Sequence, residues 1–275
     1  MRIPHPRPLL PGRLVDRYER FIAEIELDGG QRIRAHCVNP GRMEGLVAPG
    51  VRVWVWQVPP DSKRKLRYTW ELVEDPDPAI DMIVGANTVA PNRIVAELLA
   101  AKQLPGLRRY RALRSEVAYG ERSRVDFVLD GKTPHYVEVK NSHLRYPDGR
   151  SYFPDSVSAR ASHHLEALAD LVAGGGAKAT VLFVSQRPDV RAVRPSILHD
   201  PTFAATARDV AARGVRFRAV TVQATPKVYE VVGEIPVDLS VYDTDAHARW
   251  REQGLRWSGW RRDPRRRAPV PRSEP

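Results

Sequence analysis

The chain has 275 residues, of which 42% are hydrophobic, enough for two modest domains with real cores, and no apolar run approaches the roughly 20 residues of a membrane span. Residues 1–14 lack the apolar stretch of a signal peptide, and the single cysteine, Cys37, excludes an internal disulfide and a cysteine-based zinc cluster, so we expect a cytoplasmic protein. Lysine and arginine outnumber aspartate and glutamate by 44 to 33, a net charge of +11 that favours nucleic acid as the partner over a lipid surface.

Short strands and turns dominate the first part of the chain, residues 12–74. We expect four strands there, at 21–27, 32–38, 51–57 and 68–73. The first two are separated by Asp28-Gly29-Gly30, which predicts a hairpin. A handful of strands in some 60 residues is typical of a small closed barrel of the oligonucleotide-binding (OB) type, and we place this all-β domain at residues 1–80.

Basic and aromatic side chains of this barrel are candidates for contacts with nucleic acid. Four basic residues lie in its loops: Lys63, Arg64, Lys65 and Arg42. Three tryptophans lie on its strands: Trp54, Trp56 and Trp70. We expect the basic residues to contact phosphates, while the tryptophans either stack on bases or fill the barrel core.

Beyond residues 75–81 the pattern changes to alternating helices and strands, so we place a second, α/β domain at residues 81–245. Pro91 begins the first helix at the position that proline favours. Seven further elements follow: strands at 113–120, 123–130 and 135–142, a helix at 157–172, a strand at 178–184, a helix at 201–213 and a strand at 215–222. The strand at 178–184 is apolar throughout, as expected of a central strand covered on both faces. The predicted core order is αβββαβ.

Two neighbouring strands of this domain carry Asp126 and Glu138. Both strands alternate polar with apolar residues, and Asp130-Gly131 predicts a hairpin turn between them. If Gly131–Thr133 form the loop, Asp126 lies directly opposite Glu138, with Cβ atoms roughly 5 Å apart. Two carboxylates at that distance repel each other. A divalent cation compensates them best, because Mg²⁺ binds carboxylate oxygens and keeps water ligands for chemistry.

Lys140 lies two residues after Glu138 and therefore on the same face of the strand. There its amine can stabilise a phosphorane or orient a water molecule. Together the three residues predict the site of a phosphodiesterase that uses Mg²⁺ or Mn²⁺. The alternative is an exposed cross-strand ion cluster, since surface ion pairs are common and nearly neutral in energy.

The last part of the chain, residues 246–275, is strongly basic. Arginine recurs through it, and proline becomes frequent after Arg262. We expect this tail to be disordered, and a solubilising role is enough to explain its charge.

These motifs resemble two known patterns. Asp126 with Glu138-Val-Lys140 on adjacent strands resembles the PD-(D/E)xK nuclease core. The chain as a whole resembles the sugar fermentation stimulation protein A family, which joins an N-terminal OB barrel to such a restriction-endonuclease-like core. The resemblance extends to about Gly214 and rests on these motifs: Pro11-Gly-Arg-Leu14, His36-Cys-Val-Asn-Pro-Gly-Arg-Met43, Lys65-Leu-Arg-Tyr-Thr-Trp-Glu-Leu-Val73, Asn87-Thr88, Pro91-Asn-Arg93, Glu116-Val-Ala-Tyr-Gly120, Ser123-Arg-Val-Asp-Phe127, Val137-Glu-Val-Lys-Asn141, Phe153-Pro-Asp155, Arg160, His164-Leu165 and residues 183–187.

The resemblance implies DNA binding and metal-dependent nuclease chemistry. By this resemblance Asp126 and Glu138 would hold the metal and Lys140 would be the catalytic lysine. Glu97, on the first helix, would be the further metal ligand that a helix often supplies in such cores. For Glu97, an ion pair with Arg93 one turn earlier is an equal alternative.

Three more residues are second-rank site candidates: Glu116, Arg160 and His164. Glu116 shares the face of Asp126 only if the turn at 120–122 has an odd number of residues. Arg160 and His164, one turn apart on the helix, either bind a phosphate flanking the scissile bond or form an exposed polar face. The neighbouring Ser158, Ala161 and His163 depart from the family pattern, where threonine, glycine and lysine are expected.

Three interpretations stay open at this point. The first is a metal-dependent nuclease with little base specificity, acting on single-stranded or duplex DNA. The second is a non-catalytic, DNA-binding regulator of sugar metabolism genes on a nuclease-like scaffold, because fold alone does not decide activity. The third is an RNA-processing protein, which would prefer substrates with 2′-hydroxyl groups.

Overall fold

The computed structural model describes residues 1–119, 123–254 and 257–265. Its first seven strands are β1 (Arg2–Pro4), β2 (Leu10–Tyr18), β3 (Ile22–Leu27), β4 (Arg32–His36), β5 (Arg52–Gln57), β6 (Tyr68–Glu74) and β7 (Ile83–Gly85). Strands β2 to β7 form one sheet in the order β4-β3-β2-β5-β6-β7. A parallel pairing of β4 with β6, through Ala35 and Tyr68, closes five of them into the predicted OB barrel.

Strand β2 is the barrel strand that the sequence pattern did not single out. Its pairing with β3 shifts register between Leu14 and Asp16. Such a bulge puts two residues of one strand opposite one of its partner, and this interrupts the alternation of polar and apolar residues. The four predicted strands appear as β3 to β6. Their ends lie within one residue of those expected, except that the second strand stops at His36, two residues early.

The tryptophans of the barrel are mostly core residues. Trp70 is fully buried inside the barrel, and Trp54 is buried on the side that packs against the second domain. Trp56 is half-buried and donates a hydrogen bond from Nε1 to Glu71 at 3.0 Å. Two of the three candidate stacking platforms therefore serve packing.

The second domain contains the remaining elements: α1 (Ala90–Ala100), β8 (Ala112–Tyr119), β9 (Ser123–Asp130), β10 (His135–Ser142), β11 (Leu144–Arg145), β12 (Ser151–Phe153), α2 (Ala159–Ala173), β13 (Lys178–Ser185), β14 (Val193–Pro195), α3 (Pro201–Ala212), β15 (Arg216–Ala224), β16 (Val228–Ile235) and α4 (Asp245–Gly254). The main sheet has the order β1-β16-β15-β13-β10-β9-β8, with β13 parallel to both of its neighbours. The predicted αβββαβ order is present, with the short strands β11 and β12 inserted before α2. Helix α1 packs on one face of the sheet, and α2 and α3 pack on the other.

Both ends of the chain depart from the predicted domain limits. Strand β1 pairs with β16, so residues 2–4 join the sheet of the second domain and not the barrel domain expected at 1–80. At the other end, α4 is helical and residues 257–265 lie on the barrel, where Tyr18 pairs with Arg261. The expectation of a disordered tail over 246–275 is therefore wrong for residues 246–254 and 257–265, and residues 255–256 and 266–275 lie outside the described residues.

The prediction of a disordered tail rested on its high charge and gave too little weight to its large apolar residues. Trp250 packs against a buried cluster with Tyr146 and Tyr152, and Arg251 donates two hydrogen bonds, at 2.6 and 3.0 Å, to the buried carboxylate of Glu44. Aromatic side chains of this size contribute enough apolar burial to order a short helix. Within the residues that the structure describes, no helix is long and apolar enough to cross a bilayer.

The barrel and the second domain meet at Glu71, on β6. Its carboxylate is 1% exposed and accepts hydrogen bonds from Asn87 at 2.6 Å, before α1, and from Tyr229 at 3.0 Å, on β16. His5 lies 3.6 Å and Arg93 3.9 Å from the same carboxylate. Burial alone would raise the pKa of Glu71, but its hydrogen bonds outweigh burial and lower it. One ionised side chain thus joins the N-terminal residues, the barrel, α1 and the main sheet.

We expect Glu71→Gln to lower the free energy of unfolding at pH 7 by about 2–4 kcal/mol, because it leaves buried donors without their charged acceptor. Because the folded-state pKa of Glu71 is lowered, the stability it contributes is present above its unfolded pKa and is lost as pH falls through the folded value. The deficit of the variant should therefore narrow in acid. Urea unfolding at pH 7 and pH 4 measures both effects.

The matched control is Glu26→Gln, which removes an exposed carboxylate paired with Arg32 on the barrel surface. It should change the free energy of unfolding by less than about 0.5 kcal/mol. Equal stability losses in the two variants would contradict the role assigned to Glu71.

Candidate active site

A cleft of about 300 Å³ opens where β8, β9 and β10 meet the N-terminal end of α2. Six of the residues singled out in the sequence line it: Asp126, Glu138, Lys140, Glu116, Arg160 and His164. Ser158, the N-cap of α2, and Phe153 also contribute to its wall. The fold thus gathers residues that are separated by up to 48 positions along the chain.

The β9–β10 hairpin has the register that the sequence predicts. His135 pairs with Leu129 and Val137 with Phe127, so the next position along the ladder places Glu138 across from Asp126. There the strand pairing ends, and Oδ2 of Asp126 accepts a hydrogen bond from the backbone N–H of Val139 at 2.6 Å. The side-chain carboxylate of Asp126 accepts the kind of hydrogen bond that a backbone carbonyl accepts between paired strands. This hydrogen bond fixes the position of the carboxylate at the cleft.

Asp126 has a second donor and an unusual pKa. Its Oδ1 accepts a hydrogen bond from Nδ2 of Asn92, on α1, at 2.6 Å. Burial and the nearby charge of Glu138 raise the pKa of Asp126 to about 6, although the hydrogen bonds from Val139 and Asn92 oppose the rise. The ionised form of Asp126 is therefore destabilised in the protein without metal.

Glu138 is buried and carries its charge more easily. Its Oε1 accepts hydrogen bonds from Nζ of Lys140 and Nδ1 of His164, both at 2.7 Å. Burial would raise the pKa of Glu138, but these two donors outweigh it and the net shift is downward. Its other oxygen, Oε2, is buried without a hydrogen-bond partner. An ionised carboxylate with one bare, buried oxygen is costly unless something else binds that oxygen.

His164 and Arg160 act as a unit beside Glu138. His164 is buried, and its Nε2 accepts a long hydrogen bond from Nε of Arg160 at 3.4 Å, while its Nδ1 faces Glu138. Arg160 and His164 are one helical turn apart on α2, and this spacing places their side chains next to each other. Of the two alternatives left open for the pair, the exposed polar face does not describe His164.

Glu116 reaches the rim of the same cleft. Tyr119 pairs with Ser123, so three residues connect β8 to β9, and this is the odd number on which the predicted position of Glu116 depends. Pairing continues on either side of Glu116, which lies across from Asp126 with a left-handed φ of 53°. Its side chain is exposed.

Glu97 is not brought to the cleft. It is exposed on α1, and the residue that α1 supplies to Asp126 is the amide of Asn92. Five residues separate the two, a rotation of about 140° around the helix, so they face different directions. The proposed ion pair is not formed either, since Arg93 lies against Glu71. Asn92 stood in one of the motifs that carry the resemblance, but nothing in its spacing showed that it would touch Asp126.

The donor set of the cleft fits a hard divalent cation that keeps some of its water ligands. The half-buried carboxylate of Asp126 faces the buried carboxylate of Glu138, and Oε2 of Glu138 has no hydrogen-bond partner. Within the described ranges, no group of three or more His, Cys, Asp or Glu side chains is placed to hold a metal ion. Mg²⁺ is commonly bound by one or two carboxylates plus waters and substrate phosphates, so two carboxylates suffice.

A larger cavity, of about 1300 Å³, lies elsewhere, between the barrel, residues 74–81 and the C-terminal segment. Its wall mixes acidic with basic side chains, including Asp75 and Arg187, which form an ion pair at 2.9 Å. Size alone does not mark a site. The smaller cleft is the better candidate because it holds Asp126, whose pKa is raised to about 6, and the unpartnered Oε2 of Glu138.

The barrel is fixed next to the cleft by one of its turns. Met43 donates a backbone hydrogen bond to Oδ2 of Asp155 at 3.1 Å, two residues beyond Phe153 in the cleft wall. A Cβ atom at Gly41 would collide with the carboxylate of Asp155, so this close approach requires glycine. The motif that ends at Met43 thus contacts the motif that ends at Asp155.

The basic candidates of the barrel differ in their surroundings. Lys63 and Lys65 are exposed, and Arg64 lies 6.0 Å over the ring of Trp56 and donates to Thr69 at 3.1 Å. Arg42 lies against the C-terminal segment and donates to Ser258 at 3.2 Å. Lys63, Lys65 and Arg42 are exposed, whereas Arg64 is half-buried.

Two family models match this chain. The model described as the SfsA N-terminal OB domain matches residues 15–84, and the model described as the sugar fermentation stimulation protein RE domain matches residues 89–228. The first coincides with the barrel and the second with the domain that contains the cleft.

Similar proteins agree with these matches. A sugar fermentation stimulation protein homolog from Roseobacter denitrificans is 42% identical over 234 residues, covering 84% of this chain and 97% of the relative. The homolog from Caulobacter vibrioides is 46% identical over 213 residues, covering 76% and 86%. The solved structure of Pyrococcus furiosus SfsA in complex with Ca²⁺ matches with a TM-score of 0.77 and 25% identity, over 86% of this chain and 99% of that one. The chain therefore belongs to the sugar fermentation stimulation protein family.

Proposed function

We propose that this protein is a metal-dependent DNA nuclease whose active site is the cleft at Asp126, Glu138 and Lys140. The observation that carries the proposal is the bare Oε2 of Glu138, buried opposite a carboxylate whose pKa is raised to about 6. Both features are costly in the protein alone, and one divalent cation relieves both. The solved structure of the Pyrococcus furiosus relative in complex with Ca²⁺ supports a site made of oxygen ligands for a hard cation.

The residues of the cleft have distinct roles in this proposal. Asp126 and Glu138 would hold Mg²⁺ or Mn²⁺, which supplies an activated water molecule and polarises the phosphate. Lys140, held by Glu138 at 2.7 Å and only partly exposed, presents its amine to the charge that develops on the phosphate. Arg160, on the first turn of α2, is placed to bind a neighbouring phosphate.

The barrel supplies substrate binding in this scheme. Lys63 and Lys65 offer exposed charges to the phosphate backbone, and contacts of this kind carry little base specificity. We therefore propose DNA, single-stranded or duplex, as the partner, bound with strong dependence on salt.

A second candidate is a DNA-binding regulator in which the same cleft is structural. One observation favours it: Lys140 and His164 already compensate Oε1 of Glu138, and α1 provides an amide where a third acidic ligand is expected. The names of the relatives, which refer to sugar fermentation, agree with either function.

Cleavage distinguishes the two functions. We expect the wild-type protein to cleave labelled single-stranded, duplex or branched DNA with Mg²⁺ or Mn²⁺, and Asp126→Asn and Lys140→Ala to lose on the order of 100-fold or more in rate. Both variants should still bind DNA, because neither residue belongs to the barrel. Gel-based cleavage and fluorescence anisotropy measure the two properties.

Matched controls are Glu97→Gln and Lys132→Ala, which remove an exposed carboxylate on α1 and an exposed lysine in the β9–β10 turn. Both should cleave at the wild-type rate. Intact binding with no cleavage by the wild-type protein on any substrate would leave the regulator as the better explanation.

Metal binding should depend on pH through Asp126. Since the metal takes the ionised carboxylate, protons compete with it once the pH falls below about 6, the pKa of Asp126. We expect the affinity for Mn²⁺, measured by titration calorimetry, to be constant above pH 7 and to fall by up to about tenfold for each pH unit below 6. Asp126→Asn should bind Mn²⁺ more weakly at pH 7.5 and lose most of this pH dependence. Equal affinities of the wild-type protein at pH 5 and pH 7.5 would contradict the assignment.

A further inference from the structure

The exposed tryptophan and phenylalanine side chains of the described residues lie on the barrel and the segment 257–265. They are Phe21, Trp257 and Trp260, exposed by 46%, 40% and 37%. Exposed aromatic side chains are enriched at binding surfaces, and the segment that carries both tryptophans is hydrogen-bonded to the barrel turn that precedes Phe21. We call these three residues the aromatic surface.

Backbone hydrogen bonds hold the segment against two turns of the barrel. Near one turn, Gly45 donates to the carbonyl of Trp257 at 2.8 Å, and Gly259 donates to the carbonyl of Arg42 at 2.7 Å. Near the other, Arg261 donates to the carbonyl of Arg17 at 2.8 Å. The turn after Arg17 carries Phe21 at its end, so the backbone of the segment lies beside that turn, and Trp257 also lines the edge of the larger cavity.

A buried guanidinium fixes this arrangement. Arg17 is 2% exposed and donates to the carbonyls of Asn39 at 2.6 Å, Arg20 at 2.9 Å and Gly259 at 3.2 Å. These carbonyls come from two barrel turns and from the segment itself. The tryptophans therefore stand on a rigid base, and little entropy would be lost when they bind a ligand.

Arginines surround the aromatic surface. The guanidinium of Arg20 lies 4.7 Å above the ring of Trp260, and the side chains of Arg42 and Arg261 are 49% and 70% exposed. The nearby acids are engaged: Asp16 by Arg261 at 3.4 Å and Glu24 by Arg265 at 3.1 Å, with Asp263 paired to Arg34. Aromatic rings between exposed arginines suit stacked bases joined by phosphates.

We infer that the aromatic surface is a stacking platform for the unpaired bases of single-stranded DNA, built on the OB barrel by the C-terminal segment. The inference rests on the proposed function and specifies where the strand is held. Both tryptophans lie beyond residue 228, where the match to the second family model ends, whereas Phe21 lies within the match to the first. The platform takes the place of Trp54 and Trp70, which are buried in the cores.

The test compares two double variants, one that keeps aromatic rings at positions 257 and 260 and one that does not. The Phe variant carries Trp257→Phe and Trp260→Phe and keeps two aromatic rings. The Leu variant carries Trp257→Leu and Trp260→Leu and keeps apolar side chains but has no aromatic ring at either position. We expect the Leu variant of the full chain to bind a labelled oligo-dT with roughly tenfold or more lower affinity, and the Phe variant to lose less. Thermal unfolding checks that both variants keep the wild-type melting temperature, and Val241→Ala is the control for an exposed apolar residue.

The possible outcomes distinguish failure of the platform from failure of the proposed function. Wild-type affinity for oligo-dT in the Leu variant would overturn the platform, and if Lys63→Ala with Lys65→Ala still weakened DNA binding, the proposed function would stand without it. Binding of duplex but not of oligo-dT by the wild-type protein would also overturn the platform alone. A self-association seen by sedimentation in the wild type and lost in the Leu variant, with unchanged oligo-dT binding, would assign the surface to a second copy of the chain. Absence of any DNA binding would overturn both proposals.

Discussion

A single buried carboxylate, that of Glu71, connects the parts on which the cleft depends. It belongs to the barrel, yet its partners Asn87, Tyr229 and His5 belong to the second domain or to the residues that join its sheet. Asn87 lies directly before α1, the helix that supplies the amide of Asn92 to Asp126. The position of the barrel and the geometry of the site are thus set by the same buried charge. Such a charge is stable only while its partners stay in place, which makes the relative placement of the two domains specific.

The two carboxylates that face each other in the cleft differ in their hydrogen-bond donors. Glu138 receives Lys140 and His164 and is ionised easily, while Asp126 receives only neutral N–H donors and resists ionisation. Because both donors of Glu138 bind the same oxygen, the other oxygen is left bare inside the protein. This asymmetry distinguishes the site from a surface ion cluster, in which every charge has water or a counter-ion. It also gives a physical reason for a metal that does not depend on resemblance.

Local patterns in the sequence predicted much of the fold. They did not predict the contacts between elements that are distant in sequence. The hairpin of β9 and β10 follows from alternation and turn chemistry, so its register, and with it the facing of Asp126 and Glu138, could be predicted. The odd loop that brings Glu116 to the rim could be stated only as a condition. Asn92 could not be preferred to Glu97, because one-dimensional spacing does not tell which face of α1 meets the sheet. The tail was misread since its arginines outweighed the tryptophans that order it.

The most direct test of the account is the position of a bound metal. Crystals of the wild-type protein grown with Mn²⁺ at pH 7.5 and measured near the manganese absorption edge would show it by anomalous scattering. The account predicts a peak in the cleft about 2.0–2.3 Å from Oε2 of Glu138 and from one oxygen of Asp126, the range of bonds between hard cations and carboxylates. A cleft without a manganese peak, in which Oε2 of Glu138 accepts a hydrogen bond from an ordered water or a side chain instead, would contradict it.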